Sequence, residues 1–552
     1  MNPKAPGVVV LLALALWLPC AGAQAARKTV CTITVNSADE KETMRRQLPP
    51  GEFDFIELVE RGRPDWLASA CSRRVACDVL VISGHYDGGH EFFADSLEKN
   101  EFLPVDELER VACSDSCPAL FSQLKEVYLF GCNTLNPDAN RTLGPEIGRS
   151  LARAGHSRAE IERMTRSLAA RHGESSRDRM RLIFKDVPAI YGFSSVAPLG
   201  PEAANNLQRY LGATRGSEVG TGRQSSRLLA SFAGRGMTVT NGLGATEPQA
   251  AHRADVCRFA DDRLSVAARL AFVHELLRRD ATEVRMFLDR LERETALSPE
   301  ERARPEVAAQ LAAIAADEAS KRRYFVLVDD VDDLATRLRM LHLAAQVDWL
   351  SPVEHDAGML RAVAAQVEQH GANAADVETV CRLADDLPLD DAVLRVAMSP
   401  DRARGAAGSA MLACMGDADA RQRVLRFLTS GSDGDASIAQ VYLRHRPLAG
   451  QGDVRDVTAD IARMTTPAAQ ARALDALAAS RIADHAALDA VARLYPVANS
   501  PAVQNAIAGV LIRADYSTLD QLQLAQTLKQ YRLKAGASDD LVGVLLRRPA
   551  PR

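Results

Sequence analysis

The chain shows two textures of apolar and polar positions. From Lys28 to about Val239, short and nearly continuous apolar runs alternate with segments of helical period. The runs "KTVCTITV", "FDFIELV", "CDVLVIS", "KEVYLFGC" and "VPAIYGFSS" are rich in β-branched residues, and each predicts a strand. Between them, "SADEKETMRRQL", "DWLASACSRR", "VDELERVA" and the basic stretch 141–184 predict helices. The first of these places Ser37 and Glu40 at the spacing of a capping box. Strands without strict alternation are buried on both faces. The pattern over 27–212 therefore predicts an α/β domain, a mostly parallel sheet flanked by helices.

Over 213–254 the texture changes to the Gly/Ser/Thr-rich pieces "GATRGSEVGTGRQSS" and "NGLGATEPQAAH", expected to form a loop and linker region. From 255 to 552 the pattern is helical, and only "YFVLVDD" is compatible with either a strand or a helix. Ser399-Pro400, Ser432-Asp433, Thr466-Pro467 and Ser500-Pro501 recur at steps of 33, 34 and 34 residues. Each places a capping residue before a position suited to the first helical turn. A period of that length holds two short helices, which predicts an all-α, solenoid-like domain of stacked pairs. The alternative is an irregular helical bundle. The periodicity resembles HEAT-type repeats, and the aromatic signature of tetratricopeptide repeats is absent.

Length and composition refine this picture. A chain of 552 residues exceeds one hydrophobic core. A net charge of -5 gives no basis for a nucleic-acid partner. Lys4, the run "VVVLLALALWL" and the small residues "AGAQAA" predict a signal peptide over 1–25. That run is short for a bilayer and no later one is longer, so the expectation is a secreted or periplasmic protein with no membrane span. Removing the signal leaves Cys31, Cys71, Cys77, Cys113, Cys117, Cys132, Cys257, Cys381 and Cys414. An odd set in an oxidising compartment leaves at least one thiol unpaired within the monomer. Cys113 and Cys117 are expected to pair with each other or with Cys71, Cys77 or Cys31.

Two strand ends carry candidate chemistry. "VLVISGHY" ends at His85 and "VYLFGCNT" ends at Cys132. Active groups collect at the carboxyl ends of strands in an open parallel sheet. If the two strands are neighbours, an imidazole stands beside a thiol, the arrangement that activates a cysteine nucleophile. His85, Asp87 and His90 also offer nitrogen and oxygen donors, which keeps a metallohydrolase as an alternative. Asp87 and Glu91 after His85, and Tyr191, Ser194 and Ser195 at the fifth strand end, are candidate substrate-pocket residues. No cofactor motif is read, and the leading assignment uses neither a metal nor a cofactor.

Histidine then cysteine, each closing an apolar run and 47 residues apart, resembles the caspase-like cysteine peptidases. That clan also includes gingipains, legumains, separases and CHAT domains. "LFGCNT" is similar to the CHAT-type cysteine motif, and the resemblance covers roughly 28–212. It implies a caspase-like fold, Cys132 as nucleophile and His85 as its catalytic partner. It also implies an oxyanion site formed by the backbone N–H groups of Tyr86 and Cys132, and a protein or peptide substrate. Tyr86 stands where the family places glycine, and Phe130 where many members carry an acid. The expectation is a secreted cysteine endopeptidase whose helical repeats bind substrate or a protein partner. A catalytically inactive caspase-like binding or scaffold protein is the alternative.

Overall fold

The computed structural model describes residues 26–58, 67–86, 91–94, 102–114, 116–138, 145–153, 155–172, 175–386, 391–448, 450–514, 516–533 and 541–547. The expected signal peptide, Asp87 and His90 lie outside the described residues. The chain divides into two compact units. One holds 1–142 and 166–265, the other 143–165 and 266–552.

The first unit is built on a six-stranded sheet in the order β2-β1-β3-β7-β8-β9. Its strands are β1 (Lys28–Thr34), β2 (Phe53–Glu57), β3 (Val79–Ser83), β7 (Glu126–Phe130), β8 (Ala189–Phe193) and β9 (Met237–Thr240). The first five are mutually parallel and β9 closes the edge antiparallel to β8. A second sheet, β4 (His85–Tyr86), β5 (Glu91–Phe93) and β6 (Phe102–Pro104), is antiparallel and inserted between β3 and β7.

The helices along this part of the chain are α1 (Asp39–Gln47), α2 (Ala68–Ser72), α3 (Val105–Cys113), α4 (Pro145–Arg153), α5 (Arg158–His172), α6 (Ser176–Ile183), α7 (Gly200–Thr214), α8 (Ser226–Ser231) and α9 (Ala250–Ala260), of which α4 falls in the second unit. Side chains alternate along each strand, so the sheet has two apolar faces. Cys31, Ile33, Leu80, Ile82, Val127 and Leu129 pack under α2, α3 and α6. Val30, Val79, Val81, Tyr128, Phe130 and Phe193 pack under α1 and α7. Leftward and rightward crossovers thus use opposite faces, as a constant handedness demands.

The expectations for 213–254, for the Ser37–Glu40 capping box and for Cys113 are corrected, and the alternative left open at "YFVLVDD" is resolved. The segment 213–254 is not a linker, because β9 completes the sheet and α8 covers it; four residues of intermediate burial gave no strong pattern. The capping box at Ser37 and Glu40 does not form. Ala38 is the N-cap, Ser37 Oγ accepts the Asp39 N–H at 3.1 Å, and Glu40 turns inward. "YFVLVDD" is helical, within Glu318–Asp330. Cys117 takes one of its expected partners, Cys71, while Cys113 pairs with Cys257, outside the expected set. The disulfides are Cys31–Cys77, Cys71–Cys117, Cys113–Cys257 and Cys381–Cys414. Cys257, beyond the strand pattern, is the partner of Cys113 because α9 packs along α3.

In the second unit, all four periodic capping residues stand where helices begin. Ser399 precedes Pro400–Arg404, Ser432 precedes Asp433–His445, Thr466 precedes Pro467–Ala478, and Ser500 precedes Pro501–Arg513. Ser432 forms a capping box with Asp435, which satisfies two otherwise open backbone donors. Pro467–Ala478 packs on Asp433–His445 and on Pro501–Arg513, so like helices of successive periods stack in one layer. Ala418–Ser430, Gln451–Arg463 and His485–Leu494 follow one another in a second layer. Ion pairs of 2.6, 2.7 and 2.6 Å cross between periods, at Arg395–Asp417, Arg421–Asp453 and Arg455–Asp484. Asp417 and Asp484 are also N-caps, so each cap is held by the preceding period. The arginines of α4 are engaged too. Arg153 pairs with the buried Asp330 at 2.6 Å and Arg149 with Asp332 at 2.8 Å. No helix among the described residues is long and apolar enough to cross a membrane.

The Cys113–Cys257 bridge closes a separation of 144 residues, the longest in the chain. Cross-linking a loop of that size removes about 5 kcal/mol of unfolded-state entropy as an upper figure. The double substitution Cys113→Ser/Cys257→Ser is expected to lower the urea-unfolding free energy of the first unit by about 2–5 kcal/mol. An unchanged midpoint and slope would refute that role.

Candidate active site

β3 and β7 pair in parallel from Val79↔Glu126 to Ser83↔Phe130. Beyond the last pair, the Gly84 N–H donates to Phe130 O at 3.1 Å. The next steps along the two chains therefore set Gly84 beside Gly131 and His85 beside Cys132. A Cβ on Gly131 would lie 2.8 Å from Gly84 O and 3.0 Å from Tyr86 Cβ, so the two strand exits are in contact. Phe130 faces α1 and α7, and alternation carries Cys132 to the same side. There its sulfur accepts the N–H of Ala197, in the loop entering α7, at 3.3 Å. Ser83 and His85 follow Val81 on that side of β3.

Each residue of "GCNT" has a physical task. Gly131 permits the close approach just described. Asn133 holds φ +59°, a left-handed conformation that asparagine tolerates better than most residues. Its N–H donates to Ser195 O at 2.8 Å. The buried Thr134 hydroxyl donates to Gly131 O at 3.2 Å and accepts the Phe193 N–H at 3.1 Å. The turn is thus tied to β8, and Cys132 sits at its apex, half-buried. Cys132 is the one free cysteine among the described residues. Cys31, Cys71, Cys77 and Cys117 all belong to the core on the opposite face, so the sheet separates them from its thiol.

His85 and Tyr86 form a two-residue strand rather than a turn. The small sheet aligns His85, Phe93 and Phe102 in one cross-strand row and Tyr86, Phe92 and Leu103 in the next. The second row is buried in the core under α3. The first is partly open, with the His85 ring 5.4 Å from that of Phe93 and Phe102 43% exposed. Tyr86 is an anchor: its ring lies tilted, 4.8 Å from that of Phe92, behind the strand exit.

The other sequence candidates separate. Ser194 and Ser195 lie at the rim, through the Ser194 N–H to Gly236 O at 3.4 Å and the Ser195 carbonyl on Asn133. Glu91 is half-buried on β5, paired with Pro104. Tyr191 is removed from the pocket: it is 1% exposed, and its hydroxyl donates to Arg223 O and accepts the Ser225 N–H. Asp87 and His90 lie outside the described residues. Among those described, no three metal-ligating side chains converge.

Sequence reasoning missed Glu40. It lies four residues before Met44 on the inward stripe of α1 and is 3% exposed. Its Oε2 is buried without a hydrogen-bond partner. Burial pushes the carboxyl up to about 7, partly offset by its own backbone N–H and by the Ser83 and Ser37 hydroxyls, while Asp39 adds to the rise. The signal was present in the helical period, but the capping-box spacing gave Glu40 a competing explanation at the surface.

Comparison of the chain with family models, curated proteins and solved structures found no match.

Two outcomes follow from this geometry. Gly131→Ala is expected to cost about 1–3 kcal/mol in urea unfolding, because a backbone carbonyl and a buried Tyr86 oppose the added methyl; wild-type stability would contradict the close contact. For Glu40, a folded value of about 7 against an ordinary 4.5 means both states are protonated below pH 4.5 and both ionised above pH 7. Stability falls as pH rises between those limits, by up to about 3 kcal/mol. Glu40→Gln is thus expected to match wild type at pH 4 and to exceed it at pH 8, measured by chemical unfolding. Parallel stability curves for the two proteins would count against the buried carboxyl.

Proposed function

We propose that the first unit is a caspase-like cysteine endopeptidase domain, with Cys132 as nucleophile and His85 as its partner. One observation carries the reading: the unpaired thiol and the imidazole follow adjacent parallel strands at the same register step, on one face of the sheet edge. An imidazole so placed takes the thiol proton, and the thiolate attacks the scissile carbonyl. Negative charge then develops on the carbonyl oxygen, where the backbone N–H groups of Cys132 and Tyr86 are the proposed donors. The imidazolium returns its proton to the leaving amine as the C–N bond breaks, leaving a thioester on Cys132. Water, deprotonated by His85, hydrolyses the thioester and restores the thiol. The Ala197 N–H fixes the sulfur at the start of this cycle.

Ser194, Ser195 and Glu91 border the strand exits and are the proposed rim contacts for the peptide. The stacked helix pairs, read as HEAT-type repeats, would recruit the substrate or a protein partner. Four disulfides suit an oxidising, secreted or periplasmic setting. Tyr86 favours a second reading: its buried ring makes the position after His85 a core anchor, which a non-catalytic scaffold would equally keep.

Labelling with a peptidyl acyloxymethyl ketone followed by peptide mapping separates the two. The expected result is modification at Cys132 alone, reduced about 10²-fold or more in His85→Ala. Folded protein that takes no label at Cys132 would leave the scaffold reading in place.

A further inference from the structure

Three neighbouring strand exits meet at the sheet edge. β3 delivers His85 and β7 delivers Cys132, while β8, on the far side of β7 from β3, delivers Ser194, Ser195 and Val196. The third exit touches the thiol directly, because the Ala197 N–H reaches the Cys132 sulfur at 3.3 Å. Val196, whose carbonyl carbon is bonded to that nitrogen, is 66% exposed, and Leu199 is 71% exposed. Single apolar side chains scattered on a surface are ordinary. Two within residues 196–199, on the loop that contacts the unpaired cysteine, are not scattered. Leu199 is also the N-cap of α7 and gives it no side-chain cap bond. Leucine is among the poorest residues for that position, so its presence forgoes helix stability that serine or aspartate would supply. Charges bordering this exit are already engaged. Arg235 precedes the Gly236 carbonyl that accepts the Ser194 N–H, and it is held by Glu202 through bonds of 2.7 and 2.6 Å. Asp39, which lies against Gly200 at the start of α7, accepts the Ser37 hydroxyl at 3.0 Å.

We propose that Val196 and Leu199 are specificity-determining residues that receive an apolar side chain on the acyl side of the scissile bond, so that the substrates are peptides cleaved after residues such as leucine. The proposal rests on the reading of Cys132 and His85 given above. Its direction follows from the chemistry. His85 returns its proton to the leaving amine, so the amine side of the peptide lies toward β3. The acyl group stays on Cys132 as the thioester, and its side chain falls on the opposite flank of the sulfur, toward β8. There it meets Val196 and Leu199. Apolar surface on both partners leaves water together, which favours a side chain of several carbons. An arginine or aspartate in the same place would lose water and gain no counter-charge from these two residues.

The test uses three peptidyl acyloxymethyl ketones that differ only in the residue beside the reactive group: leucine, arginine or aspartate. The rate of Cys132 modification is measured for each on the full chain. The leucine probe is expected to react about tenfold faster than the other two. In Val196→Ser/Leu199→Ser that advantage is expected to fall toward parity, and in Val196→Asp the arginine probe is expected to gain on the leucine probe. Both positions are exposed, so the variants are expected to fold, checked by circular dichroism. The ratio between probes is the readout, because a distorted fold slows all three together. A leucine probe no faster than the others in wild type overturns the apolar assignment; if that labelling is still lost in His85→Ala, the dyad reading survives it. A leucine advantage that persists in the double variant overturns the role of Val196 and Leu199. If no probe modifies Cys132 while iodoacetamide does, the endopeptidase reading fails and the specificity falls with it.

Discussion

The parallel pairing of β3 with β7, continued past its last ladder bond into the contact of Gly84 with Gly131, is the constraint on which the candidate site depends. Parallel neighbours lie about 4.8 Å apart, and an unbroken register carries that spacing to the residues that follow. A shift of one residue would turn either His85 or Cys132 to the opposite face. The register is fixed from below by a buried strand core and from above by the Thr134 hydroxyl, which ties the turn to β8. The placement of the two candidate residues is thus an outcome of sheet geometry, and the short motif serves to end a strand without disturbing it.

Strand and helix positions were legible where the physical signal was continuous. Five apolar runs became five parallel strands, and four capping residues at regular steps became four helix starts. Legibility failed where elements were short or served two purposes. β4 and β5, of two and three residues, are too short to repeat the strand pattern. β9 was hidden by flanking glycine-rich turns and by its position at an edge. The pairing of Cys113 with Cys257 depends on tertiary packing, which spacing along the chain does not encode.

The two candidate residues were marked in the sequence, and their surroundings less so. His85 and Cys132 were marked by what precedes them, an apolar strand, which is a local property. Tyr191 carried the same mark and is nevertheless a core residue, because it lies inside β8 rather than beyond its end. Glu40 was visible as a charged residue, but its inward direction emerges only when α1 is laid against the sheet. The role of Tyr86 likewise emerges only on the far side of the backbone, where its ring packs with Phe92.

The segregation of cysteines by the sheet also sets how the lone thiol meets oxidants. Every disulfide of the first unit involves side chains behind the sheet or on α3 and α9, while Cys132 faces the loop into α7. Among the described residues, no second free thiol stands ready to resolve a sulfenic acid. Oxidation of Cys132 therefore ends in a mixed disulfide with a small external thiol, or in higher acids, and cannot be buffered by an internal bridge. The same wall stands between the Cys132 sulfur and the Cys31–Cys77 and Cys71–Cys117 bridges, which bars thiol–disulfide exchange between them in the folded unit.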